Sequence, residues 1–205
     1  MSEMDSSLQI RVYLLDGSTQ TFIQTDPGAI EHTLTELHPA SIFSQDRATI
    51  AEDGAAVSIV LPLITRIDLM TERLSVWDFP FVLGAPMEIS EAEFQQGLLS
   101  LHEWEQPSSS KARPVFLELE MVDGQCVYLW IEVVAGVSLA RLGKIHSLLT
   151  DRRLVFGLRI GGIGLLNLSN LAHFSVHPDP NDAAAETAAQ DHLAPNTMDL
   201  ERGNL

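Results

Sequence analysis

At 205 residues the chain has room for one large domain or two small ones. Apolar residues make up 45% and charged residues 20%, which supplies a core and excludes a wholly disordered chain. The formal net charge of −16 argues against nucleic acid and against an anionic membrane surface, because both are held through Lys and Arg that neutralise phosphate.

Residues 1–7 are polar and acidic and read as a disordered N-terminus without a signal-peptide pattern. Residues 8–15 alternate, with Leu8, Ile10, Val12 and Leu14 on one side and Gln9 and Arg11 on the other, the period of a half-buried strand. Asp16-Gly17 supplies a tight hairpin turn, and a return strand over 19–24 centres on Phe22. Asp26 followed by Pro27 predicts a helix start, and Ile30, Leu34 and Leu37 then recur on one helical face until Pro39. Strands are predicted at 48–51 and 57–61 with Gly54 in the turn, and Ile64, Ile67 and Leu69 continue the apolar pattern.

The middle of the chain differs. The run 77–87 is apolar but broken by Pro80 and Pro86, which predicts an irregular crossing. Ser90 and Glu93 form a capping box ahead of Phe94, Leu98 and Leu101, so a helix is expected over 91–104. Residues 105–114 read as a linker.

From Val115 the opening pattern returns. Val115, Leu117, Leu119 and Met121 alternate with Glu118 and Glu120, Asp123-Gly124 makes a second hairpin turn, and Val127, Leu129, Ile131 and Val133 alternate again. A helix is predicted at 138–149, then strands at 153–160, 164–168 and 171–176. Moving the first half forward by 107 positions lays Asp16-Gly17 on Asp123-Gly124, Gly54 on Gly161, Leu61 on Leu168 and Ile64 on Leu171. Residues 179–205 are rich in Asp, Ala, Asn and Pro and read as a disordered acidic tail. The expected fold is therefore α+β: two similar β-rich units at 8–76 and 115–178, each a β-hairpin, a helix and further antiparallel strands. They would be joined through 77–114 with its bridging helix, packed through their apolar faces, and related by internal duplication.

Chemistry is harder to find. The stretch Gly161-Gly162-Ile163-Gly164 lacks the following helix of a nucleotide loop and reads as a hairpin turn. No Gly-x-Ser-x-Gly elbow is present. The lone Cys126 lies in a strand-like run, reads as a small buried hydrophobe, and allows no internal disulfide. His173 and His177, four apart near a strand end, are the candidate metal ligands. Trp77, Phe79, Phe81, Tyr128, Trp130 and Phe156 are the candidate ligand or interface residues, and Tyr128 and Trp130 make their strand apolar on both faces, so both should be covered. No cofactor is expected. The pattern predicts a cytoplasmic, non-catalytic interaction, assembly or regulatory module with a protein partner or self-association. A small-molecule-binding or sensory module with a pocket between the units is the alternative, and an enzyme with a site built from both units is a third reading.

Overall fold

The computed structural model describes residues 7–52, 55–71, 86–101, 113–133, 149 and 151–177. The first half runs β1 (Leu8–Leu14), β2 (Thr19–Gln24), α1 (Pro27–Glu36), β3 (Arg47–Glu52), β4 (Ala55–Val60) and β5 (Ile64–Met70). Then come β6 (Met87–Ile89), α2 (Glu91–Leu101), β7 (Arg113–Met121), β8 (Cys126–Val133), β9 (Arg153–Gly157), β10 (Ile163–Asn167) and β11 (Leu171–His177). The protein is a mixed α/β molecule in which strands dominate.

Local chemistry accounts for the element boundaries. Asp26 accepts a hydrogen bond from Ala29 N–H at 2.7 Å, and Pro27 occupies the first turn of α1, where its missing N–H costs nothing. At the head of α2, Ser90 N–H donates to Glu93 Oε2 at 2.7 Å and Glu93 N–H donates to Ser90 Oγ at 3.2 Å, closing the predicted capping box. The two Asp-Gly turns have the same construction. Asp16 Oδ1 accepts from Ser18 N–H at 2.9 Å and Asp123 Oδ1 from Gln125 N–H at 3.0 Å. Gly17 and Gly124 adopt φ of +80° and +82°, where any other residue would be strained.

Nine strands form one sheet in the order β11-β7-β8-β6-β9-β10-β5-β1-β2, and β3 and β4 form a separate hairpin. β5 pairs antiparallel with β1, placing Ile64 opposite Leu14, Arg66 opposite Tyr13 and Ile67 opposite Val12, with Thr65 bulged. β11 pairs with β7 in the register 107 positions later: Leu171 opposite Met121, His173 opposite Glu120 and Phe174 opposite Leu119, with Ala172 bulged. The β1–β2 and β7–β8 pairings agree in the same way, Val12 facing Gln20 and Leu119 facing Val127. Short 3₁₀ turns precede β5 and β11 at Leu61–Leu63 and Leu168–Asn170.

The halves part company at their second hairpins. β3–β4 lies off the sheet and sends Ala48, Ile50 and Ile59 into the first core, which is closed by Leu8, Ile10, Val12, Ile30, Leu34, Ile67 and Leu69. β9–β10 is built into the sheet, with β10 pairing antiparallel to β5. Ile163 and Leu165 of β10 join the first core, whereas Leu166 joins the second, made by Leu117, Leu119, Leu129, Leu154 and Phe156 among others. β10 is therefore shared, and every one of its residues is buried. Alternation explains this, since successive side chains leave a strand on opposite faces.

Several expectations change. The halves meet edge to edge through β5 and β10, not through packed faces, because β10 offers apolar residues on both sides and so needs cover on both. Met87–Ile89 is a strand, although three residues are too few to show a period. β9 stops at Gly157, ahead of a turn in which Gly161 and Gly162 take positive φ, so the Gly-rich stretch is a hairpin turn. Cys126 is exposed, because its pairing with Glu120 puts it on the face away from the second core. The predicted helix at 138–149, apart from Leu149, lies outside the described residues, as do Trp104 and the tail at 179–205. No helix among the described residues is long and apolar enough to cross a membrane.

Candidate functional site

The densest polar chemistry lies on the sheet face opposite the first core. On β5, Ile67 and Leu69 enter the core, so Arg66 and Asp68 leave on the other side, two residues apart and able to touch. Arg66 Nε donates to Asp68 Oδ1 at 2.6 Å and its Nη2 to Asp68 Oδ2 at 3.1 Å. The same Nη2 lies 2.7 Å from Glu88 Oε1 on β6, and the Tyr13 hydroxyl of β1 donates to Asp68 Oδ2 at 2.9 Å. Residue exposure is 9% for Arg66 and 2% for Asp68, so the pair is removed from water.

Aromatic rings complete the enclosure. The Arg66 guanidinium carbon lies 5.2 Å from the Tyr13 ring centroid and 5.1 Å from that of Phe156 on β9, within cation–π range of both. The Phe156 ring covers Gly164, where a Cβ would overlap it. Burial raises the Asp68 carboxyl pKa, and the opposing hydrogen bonds and charge of Arg66 do not offset it. Burial works to lower the Arg66 pKa, but hydrogen bonds and attraction from Asp68, with Glu88 adding to them, carry it above its ordinary value. Burial also raises the Tyr13 hydroxyl. One cation thus faces two carboxylates through Nε and Nη2, with two aromatic rings in cation–π range. The arrangement can clamp β1, β5, β6 and β9 together.

A second cluster joins the halves at their 3₁₀ turns. Asn167 Nδ2 donates to Ile64 O at 3.0 Å, and Asn170 Nδ2 donates to Ile64 O at 2.9 Å and Pro62 O at 3.2 Å. The Thr65 hydroxyl donates to Asp123 Oδ2 at 3.0 Å. These bonds tie the 3₁₀ turn before β5 and the bulge at its start to the second half. Beside them is a cavity of about 190 Å³ lined by Phe43, Leu61, Pro62, Arg152, Asn167 and Asn170.

The aromatic candidates separate. Tyr128 and Trp130 leave β8 on the face away from the second core, and α2 covers that face. Phe94 of α2 lies 4.8 Å from the Tyr128 ring centroid and meets Phe116 edge-on at 6.2 Å. Trp130, Phe116, Pro114 and Leu101 line a second cavity of about 250 Å³ under α2. Both volumes are below the roughly 300 Å³ at which small-molecule pockets usually begin. Phe156 belongs to the Arg66 cluster; it lies on β9, two strands from β8, and enters the second core on the sheet face opposite Tyr128 and Trp130. Trp77, Phe79 and Phe81 lie outside the described residues.

His173 and His177 both lie on β11, and four residues of strand separate their backbones by about 13 Å. His177 is held by its neighbours: its Nε2 is 3.0 Å from Ser175 Oγ, and its ring meets Phe94 edge-on at 5.9 Å. Among the described residues no group of three His, Cys, Asp or Glu side chains is placed to hold a metal ion. Desolvation raises the Cys126 thiol pKa, and the charges of Glu120 and Glu118 raise it further, away from the thiolate that nucleophilic chemistry needs. No family model matches the chain, and no curated protein or solved structure matches it either.

The Arg66 cluster escaped the sequence reading, although one signal was present. Arg66 and Asp68 alternate with Ile67 and Leu69 in a strand-like run, and ionisable residues on one face of a buried strand must be paired there.

Proposed function

We propose that this chain is a non-catalytic interaction module, acting in assembly or regulation, built by internal duplication of a β-rich unit. The observation that carries the reading is β11, which among the described residues forms an edge of the sheet. Its sequence LAHFSVH contains no Lys, Arg, Asp, Glu or Pro, the residues that commonly keep a sheet edge from pairing with another chain. Phe174 on that strand is 40% exposed. An uncharged edge carrying an exposed aromatic suits recognition of another strand. The Arg66 cluster fits this role as a clamp that stiffens the sheet.

Duplication is supported by the common 107-position register of β1–β5 and β7–β11, down to the bulges at Thr65 and Ala172. The turn contacts follow the same shift. Leu15 N–H donates to Leu63 O and Val122 N–H to Asn170 O, at 2.9 and 3.0 Å. The alternative, a small-molecule or sensory module with a pocket between the units, is favoured by the cavity beside Asn167 and Asn170; its size weighs against a drug-sized ligand.

Native mass spectrometry on protein purified gently from its host tests the reading. Integer multiples of the chain mass, or a second protein attached, are expected. A reproducible extra mass of small-molecule size on a single chain would replace assembly with the pocket alternative.

A further inference from the structure

The two halves are unequally covered. Within the chain, β10 flanks β5 and seals it: Ile67 and Leu69 are fully buried, facing Leu165 and Ile163. The position of β5 in the first half is taken by β11 in the second, and the position of β10 is taken by β4. Among the described residues β11 pairs only with β7, and β4 pairs only with β3. Phe174, the counterpart of the buried Ile67, is 40% exposed. On β4, Val57 and Ile59 turn to the first core, while Ala56, Ser58 and Val60 are exposed. Among the described residues, one of two equivalent strand pairings is made, and both strands of the other lack an outer partner.

We propose that β4 of one copy pairs antiparallel with β11 of a second copy, repeating between chains the β10–β5 pairing made within each. The inference rests on the assembly reading and names its partner: another copy of this chain. Its register follows from the β10–β5 register moved back and forward by 107 positions, with Ala56 opposite Val176, Val57 opposite Ser175, Ser58 opposite Phe174 and Ile59 opposite His173. This sets Ala56 and Ser58 over the core face of β11. The small Ser58 leaves room for Phe174, as small residues do opposite large ones in packed layers. β4, sequence AAVSIV, also carries no charge and no proline, so neither strand resists the pairing. The two surfaces differ, so the contact is head-to-tail, and each added copy presents a fresh β4 and a fresh β11. The net charge of −16 makes copies repel, so added salt strengthens the assembly.

Two blocking variants test this on the full chain, read by sedimentation velocity and native mass spectrometry, with circular dichroism as the check on folding. Ala56→Lys closes β4 and leaves β11 open; Phe174→Lys closes β11 and leaves β4 open. The wild type should give a concentration-dependent series of dimers, trimers and larger species. Each variant alone should be monomeric, and their mixture should give one-to-one dimers and nothing larger. Ser58→Lys serves as a second block on β4 should Ala56→Lys fail to fold. In a Cys126→Ser background, Ala56→Cys with Val176→Cys should cross-link into a ladder, whereas Val57→Cys with Val176→Cys should not. Dimers of Ala56→Lys alone would show an interface that does not use β4, overturning the inference and keeping the assembly reading. A wild-type monomer whose β11 amides resist hydrogen exchange would place a segment of the same chain on the edge and overturn it too. A wild-type monomer bound to a different protein would overturn self-pairing alone. A monomer carrying only a small molecule would overturn both readings.

Discussion

Two faces of the sheet share one backbone plan and carry opposite chemistry. On β1 and β5, Arg11 faces Asp68 and Tyr13 faces Arg66; at the same register on β7 and β11, Glu118 faces Ser175 and Glu120 faces His173. The first set holds a buried ion pair, walled in by Phe156 and capped by Glu88. The second is looser: Ser175 Oγ is 3.3 Å from Glu118 Oε2, and Glu120 and His173 are exposed. The backbone does not decide between them. Neighbours do, because β10, β9 and β6 lie beyond β5, while nothing among the described residues pairs with the outer edge of β11. A charge excluded from water must find a partner, and one left in water need not.

The largest break in this comparison should come from Arg66→Met. Removing the cation leaves Asp68 buried and unpaired, at a cost of about 3–5 kcal/mol in denaturant unfolding. The double variant Arg66→Met with Asp68→Leu should recover most of that loss, since an apolar pair of similar volume suits the site. At the equivalent exposed position, His173→Ala should change stability by no more than about 0.5 kcal/mol. A small effect at Arg66 would mean that the cluster is solvated in solution and that the contrast is false.

Gly164→Ala comes next, because its methyl would overlap Phe156, the ring behind Arg66. Such overpacking costs about 1–3 kcal/mol. Lowering Phe156 to Leu in the same chain should ease the clash, and strictly additive losses would sever Gly164 from the cluster. Gly17→Ala and Gly124→Ala sharpen the likeness instead of the contrast. Both have φ near +80° and open space around the new methyl, so each should cost about 1–2 kcal/mol and the two values should agree. A difference well outside error would count against equivalent turns.

The smallest effect concerns α2, which packs on β7 and β8 of the second half. Hydrogen bonds from the Ser90 hydroxyl and backbone N–H hold the Glu93 carboxyl below its ordinary 4.5. A carboxyl lowered on folding stabilises above its unfolded pKa, and that stabilisation is lost as pH falls through the folded value. The protection of amides at the start of α2, measured against their intrinsic exchange rates at each pH, should therefore fall on acidification below 4.5. Ser90→Ala should return the Glu93 titration upward, as followed by NMR, and loosen the helix by about 1 kcal/mol.

The local rules were legible in the sequence. The Asp-Gly turns, the β1–β2 hairpin, the Asp26 cap and the Ser90–Glu93 box all rest on contacts within a few residues, so spacing alone revealed them. The partners of β10 were not legible. Its residues are apolar on both faces, which announces burial but names no neighbour, and its pairing with β5 joins residues about a hundred positions apart. β6 was hidden by its three-residue length and the Arg66–Glu88 contact with it. The burial expected for Cys126 failed because β8 is apolar on both faces only from Val127 onward; its first residue pairs with exposed Glu120.

The shared position of β10 also bears on synthesis. Ile163 and Leu165 complete the first core, yet they leave the ribosome long after Met70 closes the last strand of the first half. At ordinary elongation rates that interval is about 5–20 s. Through that time the nascent first half carries β5 with one edge open and Ile67 and Leu69 short of their cover. The chain thus emerges with a vacancy that only its own later residues fill, and a neighbouring nascent chain on the same message offers the same strand to fill it.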